Sequence, residues 1–255
     1  MVSDTENSQY RVAPHPPLSG YYQDETDRQR YLKSSFQETA PLYDSINGWM
    51  SFWTDRRYRR LALLRGGLAP GMEMADIGCG TGIVSELARE IVGPDGAVFS
   101  VDPSAGMMNE AVRRGRVSAP ILGRGEALPL CDNSVDFLCM SFALRHVPDL
   151  IETFREYARV LRPGGRLLLM EMTPPQKGLL HYLLKGYMRY VVPALTRVVT
   201  GSRSATVLYV YCWDTFENCV PPDKVLDALA AAGLEQPSRH VEARIFSEYT
   251  ATKAE

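Results

Sequence analysis

A short apolar run, Met74-Ala-Asp-Ile77, leads into the glycine turn Gly78-Cys-Gly-Thr-Gly82. A second run, Val98-Phe-Ser-Val101, ends on the carboxylate of Asp102. In an open parallel α/β sheet this pairing holds an adenosine. The glycines admit a ligand close to the backbone, and the acid accepts hydrogen bonds from ribose hydroxyls.

Spacing selects among adenosine ligands. A dinucleotide turn wants Gly-x-Gly-x-x-Gly or Ala, so that the pyrophosphate meets a helix N-terminus. Gly78 and Gly80 fit, but the third slot holds Ile83 and the extra glycine falls at Gly82. Asp76 places negative charge where a pyrophosphate would be repelled. The same charge suits a cation, such as the sulfonium and ammonium groups of S-adenosylmethionine. Cys79 sits where the turn needs a small side chain, which reads as packing and not as a nucleophile.

These residues need an alternating strand–helix frame, and the pattern supplies it. Strands are expected at 73–77, 97–102, around Ile121, 134–141 and 166–172. Helices are expected at 82–92, 104–114, 149–161 and 222–232, the last ending at Gly233. Two closing strands, 239–243 and 246–252, would give the sheet an antiparallel edge. Upstream, helices are expected at 27–36 and 55–65. Between them lies the aromatic-rich stretch Tyr43-Asp-Ser-Ile-Asn-Gly-Trp-Met-Ser-Phe-Trp53.

The chain of 255 residues can bury one α/β core with little left for a second domain. The expected organisation is a flexible tail over 1–25 and one domain over 26–255, with an N-terminal cap at 36–66 and a lid insert at 173–213. Balanced charge, 28 basic against 30 acidic residues, gives no pull towards nucleic acid. Five scattered cysteines form neither a disulfide framework nor a zinc pattern, so no metal is expected. Without a signal-like start or an apolar run of about 20 residues, a soluble cytoplasmic protein is expected.

The insert is the unusual piece. From Gln176 to Trp213 it carries Lys177, Lys185, Arg189, Arg197 and Arg203 but no acidic residue, between apolar runs such as Leu179-Leu-His-Tyr-Leu-Leu184. Placed after the fifth strand, it reads as a greasy cationic lid over the carboxyl edge of the sheet. It would admit a lipophilic small molecule and open a peripheral contact with a membrane. An ordinary extra helix pair is the plainer alternative, and a homodimer is left open.

Asp76-Ile-Gly-Cys-Gly-Thr-Gly82 resembles motif I of class I S-adenosylmethionine-dependent methyltransferases. Gly125-Glu-Ala-Leu-Pro-Leu130, Ser134-Val-Asp-Phe137, Ser141-Phe-Ala-Leu-Arg-His-Val-Pro-Asp149 and Arg159-Val-Leu-Arg-Pro-Gly-Gly-Arg-Leu167 narrow the likeness. With Tyr43-Asp-Ser-Ile-Asn47, they are similar to the ubiquinone/menaquinone C-methyltransferase family over residues 36–172. The resemblance implies a Rossmann-like class I methyltransferase fold: a mostly parallel seven-stranded sheet with an antiparallel edge strand, helices on both faces and a helical lid. It implies methyl transfer from S-adenosylmethionine to carbon of a lipophilic hydroxylated aromatic or quinol-type ring. O- or N-methylation of a natural product is the alternative, and a non-enzymatic cofactor-binding module is a third reading.

For the cofactor, the expected residues are Tyr43, Asp76, Gly78, Cys79, Gly80, Asp102, Pro103, Met107, Gly125, Glu126 and Ser141, with Asn47 beside Tyr43. The resemblance places Arg145 near the reacting ring. His146 stands where relatives usually carry Asn and is a candidate general base. Tyr43, Arg145 and His146 are therefore the catalytic candidates, with His181, Tyr209 and Tyr211 as weaker ones. Arg124 departs from the family's Asp or Asn near the adenine amino group, and Glu126 or a backbone group is expected to substitute.

Overall fold

The computed structural model describes residues 11–51, 54–175 and 177–255. The first ten residues of the expected tail, Phe52 and Trp53 of the aromatic stretch, and Gln176 at the head of the insert lie outside them. Among the described residues the strands are β1 Glu73–Ile77, β2 Ala97–Asp102, β3 Pro120–Leu122, β4 Val135–Ser141, β5 Leu161–Met172, β6 Leu234–Glu242 and β7 Phe246–Lys253. They form one sheet ordered β3-β2-β1-β4-β5-β7-β6. The first five strands are parallel, and β7 runs antiparallel between β5 and β6. The antiparallel strand thus lies one place in from the edge. This is the Rossmann-like arrangement of class I methyltransferases.

Apolar runs make β1, β4 and β5 central because a parallel sheet is covered on both faces. On one face Leu138, Leu167 and Leu169 meet Phe154 and Tyr157 of α5 (Leu150–Val160) and Leu229 of α9 (Pro222–Ala231). On the other, Phe137 and Leu168 meet Leu63 of α2 (Asp55–Gly66) and Leu87 of α3 (Ile83–Val92). Strand β1 is flanked by β2 on one side and β4 on the other. The chain leaves β1 in both directions, and a crevice opens at the carboxyl ends of the strands there.

Several features differ from expectation. Residues 11–24 are anchored: Val12 N–H donates to Asp149 Oδ2 at 2.6 Å, Leu150 N–H to Val12 O at 2.9 Å, and Val220 N–H to Pro14 O at 2.8 Å. Tyr22 is buried among the rings of the third core. Strand β5 begins at Leu161, because Leu161 pairs with Val135 before the register shifts around Pro163-Gly-Gly165.

The largest difference is the first helix. Instead of stopping near Phe36, α1 runs from Glu25 to Met50 and absorbs most of the aromatic stretch, with Pro41 inside it. It crosses α4 (Ala105–Arg113) at Gly106, where an added Cβ would stand 2.9 Å from the Gln37 Cα. Only glycine lets the two helices approach this closely.

The insert folds as α6 Leu179–Gly186, a π-turn over Tyr187–Val191, α7 Val192–Thr200 and α8 Arg203–Glu217. Met188, Val192, Tyr209, Tyr211 and Trp213 bury a third core against α1 and the Tyr22 segment. Tyr209 Oη donates to Asn47 Oδ1 at 3.0 Å. No described residue of the insert lines the crevice. The insert backs the wall that α1 makes, whereas the sequence had placed it over the carboxyl edge.

Candidate active site

A cavity of about 420 Å³ opens over the carboxyl ends of β1, β2 and β4, with α1 as its far wall. Fourteen positions named from sequence meet in it: Tyr43, Asn47, Asp76, Gly78, Cys79, Gly80, Asp102, Pro103, Met107, Arg124, Gly125, Glu126, Ser141 and His146.

At the end of β1, Asp76 is buried; its Oδ2 accepts from Ser85 Oγ at 2.6 Å, while Oδ1 has no partner. A buried carboxylate oxygen without a donor is costly unless something supplies one. Burial pushes this carboxyl up to about 6, opposed by Ser85 and by the Arg59 guanidinium. At Gly78, φ is +67° and an added Cβ would lie 2.9 Å from that of Ala143, so a side chain there would fill the floor of the turn. Asp102 takes Gly80 N–H on Oδ2 and Ser104 N–H on Oδ1, both at 2.8 Å, which fixes the turn to the end of β2. Burial raises its carboxyl to about 6 as well. Each oxygen keeps a further lone pair for a ribose hydroxyl. Met107, Pro103 and Gly125 add apolar or backbone surface.

This donor set fits S-adenosylmethionine: an orphaned anion for the ammonium, a second carboxylate for the sugar and a side-chain-free turn between them. One residue that the sequence reading missed completes it. Arg59 of α2 lines the cavity, donating to Ser141 Oγ at 2.7 Å and Asp55 Oδ2 at 3.0 Å, with its guanidinium 4.8 Å from the Phe142 ring centre. It would meet the ligand's carboxylate. Asp44 of α1 accepts from Thr81 Oγ1 in the turn at 2.5 Å and pairs with Arg114 and Arg116. Five arginines crowd α2, so the sequence could not single out Arg59. Glu126 is held by Arg124 at 3.2 Å, and Arg124 also reaches Gln29 of α1, so the three residues link the loop after β3 to α1 along the cavity lining.

Because binding a cation needs Asp76 ionised, binding expels protons held near pH 6. Affinity for S-adenosylmethionine is therefore expected to fall at least about tenfold between pH 7 and pH 5. Titration calorimetry at the two pH values reads this directly; equal affinities would remove Asp76 and Asp102 from the site.

The cavity also has apolar wall, from Leu32, Phe36, Phe142 and Ala143, with Tyr43, Asn47 and His146 among them and Glu25, Gln29 and Lys33 of α1 on the same lining. His146 is half-buried between Phe36, edge-on at 5.3 Å, and Tyr211, stacked at 6.1 Å. Neither ring nitrogen has a partner. Burial, with Arg145 and Arg28 nearby, holds its pKa well below the ordinary value. His146 is thus a neutral imidazole and a weaker base than the near-neutral one expected. Burial likewise raises the Tyr43 phenol and the Cys79 thiol, which keeps both protonated.

Arg145 is not in the cavity. It lies buried beside it, its Nη1 3.2 Å from Glu171 Oε1 and 2.5 Å from Phe142 O, with its guanidinium 4.1 Å from the Phe216 ring centre. Glu171 secures the charge on Arg145, while burial pushes its own carboxyl up. Tyr209 and Tyr211 sit behind Tyr43 and His146, and His181 turns its Nδ1 to Pro175 O at 2.9 Å.

Comparison with known proteins decides the family. A family model described as the ubiE/COQ5 methyltransferase family matches residues 23–243. The chain belongs to that family. It is 32% identical over 218 residues to a 2-phytyl-1,4-naphtoquinone methyltransferase of Synechococcus elongatus, covering 83% of this chain and 91% of the relative. It is 31% identical to a demethylmenaquinone methyltransferase of Symbiobacterium thermophilum, covering 81% and 86%. Among solved structures, the [4+2]-cyclase SpnF superposes with a TM-score of 0.63 at 18% identity, covering 95% of this chain and 99% of that one. That likeness shows the fold alone. Family membership makes this ubiE/COQ5-type chain an S-adenosylmethionine-dependent methyltransferase.

Proposed function

We propose that this enzyme methylates a ring carbon of a lipophilic hydroxylated aromatic, of the quinol type, in the cytoplasm. One observation carries the reading: the cavity that holds Asp76 is also walled by Leu32, Phe36, Phe142 and Ala143, with Tyr43, Asn47 and His146 beside them. Apolar walls suit a greasy ring, and sparse polar groups suit its hydroxyls. The names of the relatives, both quinone methyltransferases, support the same acceptor class.

Bound S-adenosylmethionine supplies a methyl group that is electrophilic without help from the protein. The work of the chain is alignment and water exclusion. Neutral His146 accepts a hydrogen bond from a ring hydroxyl, which raises electron density at the ring carbons. Tyr43 and Asn47, braced by Tyr209, orient the ring. The carbon that gains the methyl loses a proton, which passes to solvent at the cavity mouth.

Incubation with methyl-labelled S-adenosylmethionine and an alkyl-substituted hydroquinone tests the reading. Mass spectrometry and NMR are expected to find the label bonded to ring carbon. A methyl ether would establish O-methylation and overturn the proposal.

A further inference from the structure

Helices α6 and α7 present an unusual outer surface. On the inward side Met188, Val192 and Thr196 recur every four residues and are buried. On the outward side Leu179, Leu183, Tyr190 and Val198 follow the same helical stripe in the open, Leu179 at 75% and Val198 at 82% exposure. Leu180, Tyr182, Val191 and Val199 widen the stripe. No helix of the described residues is long and apolar enough to cross a membrane. An apolar face of this kind lies flat on something.

Charge identifies the partner. Lys185 and Arg189 are spent internally, on Glu217 and Asp214. Among the described residues Lys177, Arg197, Arg203, Arg239 and Arg244 pair with no carboxylate; Arg197 caps Gly201 O and Arg239 meets Ser247 Oγ. Three of these cations converge. A shallow surface hollow is lined by Lys177, Arg239 and Arg244 beside Leu179, Leu180 and Leu183. Arg244 sits in the turn between β6 and β7, where φ is +62°. Glu242, close by, is turned towards Arg65 and His240.

We infer that this face docks the enzyme on an anionic membrane surface, with the hollow taking the phosphate of a lipid headgroup and the leucines beside it entering the acyl boundary. Apolar area and basic charge act together in such binding. A second copy of the chain fits less well, because two-fold self-pairing would set the unpaired cations against one another. The inference stands whether the methyl group goes to carbon or oxygen.

Flotation of the full chain with vesicles tests it, using phosphatidylcholine alone or mixed equally with phosphatidylglycerol. The unaltered protein is expected to float with the anionic vesicles, to stay behind with the neutral ones and to detach as salt is raised. Lys177→Gln with Arg244→Gln is expected to weaken anionic partition at least about tenfold. Leu183→Glu with Val198→Glu is expected to abolish it. These residues lie outside the cavity, so both variants should keep their unfolding temperature and their calorimetric affinity for S-adenosylmethionine. Equal binding to both vesicle types, binding untouched by either variant, or failure to float would overturn the inference. So would a vesicle-free dimer in light scattering that Leu183→Glu with Val198→Glu dissolves.

Discussion

Asp102→Ala is expected to weaken S-adenosylmethionine binding by about 100-fold or more. Each hydrogen bond to an ionised group contributes about 1.5–3 kcal/mol, and a carboxylate at the end of β2 can serve both ribose hydroxyls. Loss of Asp102 also frees Gly80 N–H and Ser104 N–H, which it holds at 2.8 Å, so the turn loosens as the sugar loses its partner. Asp102→Asn keeps the shape and one acceptor oxygen, and its loss should be smaller. Calorimetry of both variants, with unfolding temperature as the control for folding, makes the comparison. Full affinity in Asp102→Ala would show that the sugar binds elsewhere.

Glu171→Leu is expected to destabilise the fold by about 3–5 kcal/mol, because it leaves the Arg145 guanidinium charged and uncompensated inside the protein. Urea unfolding measures the loss. Adding Arg145→Met to Glu171→Leu should restore most of it, since apolar groups of similar volume often replace a buried ion pair at little cost. The double variant also separates the two readings of Arg145. The resemblance placed it near the reacting ring; the structure places it beneath the Phe142 carbonyl, at the floor of the cavity. If Arg145 only positions that floor, the stabilised double variant should retain measurable turnover with KM altered more than kcat. A loss below about 1 kcal/mol for Glu171→Leu would mean that the pair contributes little.

The cofactor half was readable because its chemistry is local. Asp76, the glycines and Asp102 lie within two strand ends, and β1 and β2 fall on the residues where apolar patterning put them. The acceptor half depends on distant pairing, and there local pattern misled. Tyr43 and Asn47 sit in a helix whose continuation past Phe36 is secured by Tyr209 and its neighbours on α8, a signal absent from the stretch itself. The family resemblance put Arg145 near the ring, and its buried partner Glu171 went unnoticed. A clue existed: Glu171 is a lone acid in the apolar run Leu167–Met172, and a charge in a strand buried on both faces demands an opposite charge nearby. The anchored segment at 11–24 was missed for a similar reason, since its bonds run to Asp149 and Val220.

Helix α1 walls the cavity along its whole length, yet Pro41 divides it. Proline has no N–H to offer the Gln37 carbonyl, so the helical ladder skips a rung just where α1 rests on Gly106. The wall is in effect two panels with a soft seam between them. Gln29, Leu32 and Phe36 ride on one; Tyr43 and Asn47, tied to α8, ride on the other. The missing rung leaves the Gln37 carbonyl without its helical donor at the place where the two panels meet.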